Sequence, residues 1–211
     1  FSATDGTNGM ELWKSDGTSS GTVMVKNILS GGSSSSSFPQ HLTAVGNTLY
    51  FSATDGTNGI ELWKSDGTSS GTVMVKDIHS GSSDSSPNHL TAVGNTLYFT
   101  ARDGTNGVEL WKSDGTTTGT VMVKNILSGG SSSSSSPARL TAVGNTLYFS
   151  AYGSSGTELW KSDGTESGTV LVRDIAPGTG SSYPGTIGVI GNTLYFSAHD
   201  GTNGYELWKS D

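Results

Sequence analysis

Glu61-Leu62-Trp63-Lys64-Ser65-Asp66 decides the fold, because the same six residues recur from Glu11, Glu109, Glu158 and Glu206. The tryptophans of the five copies, Trp13, Trp63, Trp111, Trp160 and Trp208, stand 50, 48, 49 and 48 residues apart. A period in the high forties whose interior reads as strands fits a β-propeller blade better than any other repeat unit, and the near-identity of the copies points to recent duplication.

Outward from that phrase, Thr48 to Thr54 reads TLYFSAT, rich in aromatic and β-branched residues, and Leu42 to Val45 precedes it across Gly46-Asn47. These are two strands and a tight turn. Asp55-Gly56-Thr57-Asn58-Gly59 then turns the chain into Ile60 to Ser65, since Asn-Gly readily takes the positive φ angles of a short hairpin. After Asp66 to Gly71, the segment Val73 to Ile78 is a fourth strand, and a Ser/Gly-rich loop ending at Pro87 leads to the next first strand at Leu90. Leu49, Phe51 and Ala53 alternate with Tyr50 and Ser52, and Ile60 and Leu62 oppose Trp63, so large groups lie on both faces. A sheet wetted on one side would alternate more cleanly; a blade held between two neighbours buries both sides. The short, small LTAV suits an inner wall, and Lys76 and Asp77 suit an outer strand.

The expected architecture is therefore all-β, a β-propeller of four-stranded antiparallel blades in a single domain over residues 1–211. A partial repeat spans 1–41, complete repeats span 42–89, 90–139 and 140–186, and a partial repeat spans 187–211. Eighteen strands in five partial or complete blades favour five blades, with a four-bladed ring closed by Ile187 to Ile190, or a longer array, as alternatives. Phe1 to Asp16 nearly repeats Phe196 to Asp211, as expected of a piece from a longer protein. Unpaired strands at either end would recruit other chains or copies of this one.

Composition narrows the partners. Apolar residues are 32% and Gly numbers 31, but the apolar residues are gathered into regular runs and charged residues are only 14%, so disorder is not expected. Net charge is −7, with 11 basic residues spread among the repeats, which excludes a nucleic-acid interface of the usual basic kind. No apolar run approaches the roughly 18 residues of a membrane span, so no membrane insertion of this segment is expected. With no cysteine, neither a disulfide framework nor a thiolate metal site is available.

Several residue sets invite a chemical reading. Asp5-Gly6-Thr7-Asn8-Gly9-x-Glu11 and its counterparts at Asp55, Asp103 and Asp200 offer oxygens to calcium, but calcium takes about six to eight ligands, and the fourth copy replaces the segment with Gly153-Ser154-Ser155-Gly156 while keeping Glu158 and Trp160. Turn chemistry explains it better, and no cofactor is expected. Asp16, Asp66, Asp114 and Asp163 precede Gly in the next turn, where the carboxylate accepts from amides two residues on. Glu11 and its equivalents are expected to pair with a neighbouring lysine or to cap a backbone donor between blades. Paired carboxylates for glycoside hydrolysis need dissimilar surroundings, which near-identical blades do not supply. His41, His79, His89 and His199 read as unrepeated positions in or beside loops and make no metal site by spacing. The runs Ser33 to Ser37 and Ser131 to Ser136 read as flexible connectors. The five tryptophans and Tyr50, Tyr98, Tyr148 and Tyr195 are expected between blades more than against sugars. Tyr152, Tyr183 and Tyr205 break the repeat and are the better ligand candidates.

The unit resembles the bacterial ELWxxDGT repeat family through Glu11-Leu12-Trp13-Lys14-Ser15-Asp16-Gly17-Thr18 and its counterparts from Glu61, Glu109, Glu158 and Glu206, the last of which stops at Asp211. GNTLYFSA and GTVMVKDI match as well. The resemblance spans the chain and implies an extracellular or cell-surface, non-enzymatic scaffold with no catalytic residue to carry over. Its expected role is a structural or adhesive module, with a multivalent carbohydrate-binding propeller as the alternative and a hydrolase at a central channel as a third reading.

Overall fold

A computed structural model describes all 211 residues and contains strands, turns and no helix. Eighteen strands form five antiparallel meanders in chain order. The first sheet is β1 (Ser2–Thr4), β2 (Met10–Lys14) and β3 (Val23–Lys26). The next three sheets are four-stranded: β4 (Gln40–Val45) to β7 (Val73–Lys76), β8 (Asn88–Val93) to β11 (Val121–Lys124), and β12 (Ala138–Val143) to β15 (Val170–Arg173). The last is β16 (Gly185–Ile190), β17 (Thr193–His199) and β18 (Tyr205–Ser210). The architecture is a row of repeated blades that resembles a β-propeller.

The second and third strands of the second blade, β5 (Thr48–Thr54) and β6 (Ile60–Ser65), pair Phe51 with Trp63 and Ala53 with Glu61. Gly59 closes their hairpin at φ +67°, where a side chain would run into the Ser83 carbonyl of the returning loop. Residues of both faces are buried along these strands, as a sheet held between neighbours requires.

First strands of successive blades touch one another, β4 with β8, β8 with β12 and β12 with β16, so the first strands form the inner wall. Hydroxyls bind this wall sideways: Thr43 Oγ1 donates to the Leu90 carbonyl, Thr91 Oγ1 to the Leu140 carbonyl, and Thr141 meets Thr186. The core lies in the seams between blades. At the first seam Leu12 and Val25 meet Phe51, Ala53 and Trp63; at the next, Val45, Leu62 and Val75 meet Leu97, Phe99 and Trp111. Burial at about 25 cal/mol per Å² of apolar surface, repeated seam after seam, is the main force joining units too thin to stand alone.

The outer faces of the terminal blades are open. Leu207 is 68% exposed, whereas its counterparts Leu12, Leu62, Leu110 and Leu159 are buried. Phe1 is half exposed while its counterparts Phe51, Phe99 and Phe149 are fully buried.

Candidate functional site

The Glu of the repeated phrase is fully buried in the first four blades. Glu61 Oε2 accepts from the Ile78 amide at 2.9 Å and the Ser85 hydroxyl at 2.6 Å, and Oε1 accepts from the Ser85 amide at 3.1 Å and the His79 amide at 3.4 Å. Glu11, Glu109 and Glu158 hold Ser37, Ser135 and Ser182 in the same way. Burial pushes Glu61 up to about 7 and outweighs these donors, and it raises Glu109 as well. The carboxylate therefore pins the loop that carries the chain to the next blade. Of the two partners expected for Glu11 and its equivalents, the backbone donor is present and the lysine is not.

The lysines reach across seams to carbonyls instead. Lys14 Nζ donates to Gly67 O at 2.9 Å, Lys64 to Gly115 O and Lys112 to Gly164 O at 2.8 Å. Lys26, Lys76 and Lys124 donate to Thr72, Thr120 and Thr169 carbonyls. The receiving turn is built by Asp66, which accepts from the Thr68 amide and hydroxyl, while Thr72 Oγ1 meets Ser65 Oγ. The Thr68 hydroxyl and amide hold the Asp66 carboxyl below its ordinary range, and Asp16, Asp114 and Asp163 follow suit. In the hairpin, Asp55 Oδ1 accepts from the Thr57 and Asn58 amides and Oδ2 from the Asn58 side chain; Asp5, Asp103 and Asp200 do the same. These carboxylates are occupied within their own turns, and no group of three or more His, Asp or Glu side chains is arranged to hold a metal ion.

Trp63 and Trp111 are buried in seams, and Tyr50 and Tyr98 place their hydroxyls against Gly115 and Gly164 of the following blade's turn. The repeated aromatics of the inner blades thus belong to the seams. Tyr152, Tyr183 and Tyr205 are exposed at 48%, 59% and 59%.

Three readings of the sequence are corrected. Ser37 and Ser135, inside the serine runs expected to be flexible connectors, are fully buried and fixed to Glu11 and Glu109. His41 and His89 are not unrepeated: they occupy the same place in β4 and β8, and Arg139 takes it in β12. Each first strand is expected to begin at its leucine, yet β4 and β8 begin two residues earlier and bulge at this place. His79 and His199 lie elsewhere, the first against the Asp84 carbonyl and the second edge-on to Tyr205.

The blades have one uniform end and one varied end. The Gly46-Asn47 and Asp66-Gly67-Thr68 turns recur almost unchanged at the first. At the second, Thr54, Arg102, Tyr152 and His199 are counterparts, as are Ile60, Val108, Thr157 and Tyr205, and as are Phe38, Ser86, Ser136 and Tyr183. Backbone bonds from Thr54, Arg102, Tyr152 and His199 to the pinned serines gather these positions around the mouth of the inner wall. That mouth is the candidate site, since rigid blades displaying dissimilar loops are how binding surfaces are commonly made.

No protein-family model and no curated protein matches the chain. A solved prolyl endopeptidase structure superposes with a TM-score of 0.52 at 14% identity, over 96% of this chain and 30% of the other. The chain spans less than a third of that enzyme's length, and likeness at this identity concerns the fold alone.

Proposed function

We propose that the chain is a non-enzymatic structural or adhesive module of a bacterial extracellular or cell-surface protein, its blades those of a five-bladed β-propeller, and that it associates with further blades of its own kind. One observation carries the reading: the repeated carboxylate, the residue best placed to serve catalysis, is fully buried and committed to amides and a serine hydroxyl. A catalytic carboxylate must meet substrate; this one meets only its own loop. The association follows from the open terminal faces. Leu207, Ile187 and Ile190 on one side and Phe1 on the other are the exposed counterparts of residues that are packed elsewhere, and another copy of the repeat offers the face that fits each.

Light scattering over a concentration series tests this. Mass should rise with concentration for the native chain and should not for Leu207→Asp, whose substitution is on the surface and should leave the melting temperature unchanged. A strictly monomeric native chain would remove the association from the proposal. Carbohydrate binding is the second reading, favoured by exposed Tyr152, Tyr183 and Tyr205 around the varied mouth. A glycan array with the three tyrosines changed to alanine checks it, and silence of the native chain across the array would count against it.

A further inference from the structure

The inner strands combine three features at one level of the wall. The first is charge. His41, His89 and Arg139 are exposed counterparts on β4, β8 and β12, which lie side by side. Burial, and then the nearby His41, lower the readiness of His89 to take a proton. Arg139 reaches toward the last blade, its guanidinium coming within contact distance of a side chain built at Gly185.

The second is backbone geometry. The ladder slips between Gln40 and Thr43, between Asn88 and Thr91, and between Ala138 and Thr141, leaving the residue that carries the base in a bulge. His41, His89 and Arg139 have φ of 55°, 53° and 57°, a left-handed conformation unfavourable for a residue with a side chain. In β16 the counterpart is Thr186, which pairs in the ladder with Phe196 and has no positive φ. β16 slips too, between Thr186 and Gly188, but with no left-handed residue, so what accompanies the base is the left-handed φ and not the bulge itself. Phe38, Ser86, Ser136 and Tyr183 are also left-handed, but local structure accounts for them, since their amides turn back to third-strand carbonyls. The basic residues are held differently, their carbonyls accepting from the Thr43, Thr91 and Thr141 hydroxyls, and a bulge is a device that re-aims a side chain.

The third is the absence of opposing charge. The chain has 18 acidic residues, yet no Asp or Glu occurs in β4, β5, β8, β9 (Thr96–Arg102), β12, β13 (Thr146–Gly153), β16 or β17, the strands that carry or flank these bases. The groups facing His89 are Thr100, Asn88 and His41; those beside Arg139 include Ser197 and Gly185. Of the acidic residues toward that mouth, Asp55, Asp103 and Asp200 are bound within their hairpins, and Asp84 accepts from the Ile60 amide. In a protein of net charge −7, the inner wall keeps its cations unneutralised.

We infer that the mouth of the inner wall is a binding site for a small multivalent oxyanion, a phosphate or a polycarboxylate, held by Arg139 and by His41 and His89 in their protonated form. Arginine supplies a planar fork suited to such groups, and its bonds to them are favoured where competing carboxylates are few. Binding strengthens as pH falls, because the anion favours a protonated imidazole. This site is separate from the association of terminal faces and stands or falls alone.

NMR of the histidine ring protons during titration with citrate, and separately with inorganic phosphate, tests the inference on the full chain at pH 5.5 and 7.5. His41 and His89 should shift saturably while His79 and His199 do not, and affinity should fall by about tenfold at the higher pH. Arg139→Ala and the double variant His41→Ala, His89→Ala should each weaken binding by about tenfold or more with an unchanged melting curve, because these side chains are exposed. Binding of both anions supports the oxyanion class; binding of one alone names the member. Equal shifts at all four histidines, or affinity unaffected by the variants, would overturn it by showing unspecific charge. A lack of saturable shifts with either anion would overturn it outright.

Discussion

Replacing Glu61 separates an architectural carboxylate from a reactive one. Glu61→Ala strands the Ile78 amide, which donates at 2.9 Å, and the weaker His79 amide at 3.4 Å. The Ser85 hydroxyl and amide are both spared, because the Ile60 carbonyl lies 3.2 Å from the one and 3.1 Å from the other. A buried donor left without a partner costs about 1–3 kcal/mol, so one full loss and a partial one give about 2–4 kcal/mol. That is a large share of the roughly 5–15 kcal/mol that holds a domain together. Glu61→Gln keeps one acceptor oxygen but turns an amino group toward the Ile78 amide, for a loss of about 2 kcal/mol. Glu206 is the internal control: it belongs to the same phrase but is exposed, so Glu206→Gln should change stability within about 0.5 kcal/mol. Urea unfolding followed by tryptophan fluorescence reads all three, with the slope checked for loss of cooperativity between blades. If Glu61→Ala and Glu206→Gln unfold at the same urea concentration, the carboxylate is not a staple and the reasoning fails.

Stability should also depend on pH on both sides of an acidic optimum. Glu61 is raised to about 7 when folded from an ordinary 4.5, so its contribution is complete below about 4.5 and is lost as pH rises through 7; Glu109 acts in the same sense. Asp66 and its three counterparts are lowered, so theirs is present above about 3.8 and lost below it. Calorimetry from pH 3 to 8 should therefore find the highest melting temperature near pH 5, and Glu61→Gln should flatten the alkaline side; a maximum at pH 8 would contradict the sign. At the seams, the Trp63 indole nitrogen is buried with no partner, so the ring and not its N–H contributes the stabilisation. Trp63→Phe should melt within a few degrees of the native chain, while Trp63→Ala should lose about 3–5 kcal/mol; equal losses would mean that the N–H matters.

Much of the fold could be read from the sequence where local chemistry and burial agree. Thr48–Thr54 and Ile60–Ser65 are strands at the expected residues because two-residue alternation and the Asn58-Gly59 turn both specify them. The fourth strand was harder. It ends at Lys76 and not Ile78, since the Ile78 amide leaves the ladder for Glu61, a bond between residues 17 apart that periodicity does not carry. A serine run hides its one buried member for a similar reason, because neighbouring hydroxyls are chemically alike. The signal was nevertheless present: Ser37, Ser85, Ser135 and Ser182 all stand two residues before a proline. Likewise, His41 and His89 are 48 residues apart, one period of the repeat.

Near-identity of the copies has a physical consequence for where recognition can arise. Each blade fixes its own loop with the Glu staple and its own turn with Asp-Gly-Thr, and reaches the next blade with the Lys bond to a turn carbonyl, so a change in any of them strands a partner. Those positions are locked in every copy that has two neighbours. A residue at the varied mouth has no such obligation: Thr54, Arg102, Tyr152 and His199 offer the same backbone amide to the pinned serine whatever their side chain. Difference can therefore accumulate at that end without cost to the seams, and it is there that His41, His89 and Arg139 stand against Thr186. Exchanging the whole set of mouth side chains should leave the melting temperature nearly as it is, whereas one exchange in a seam should lower it.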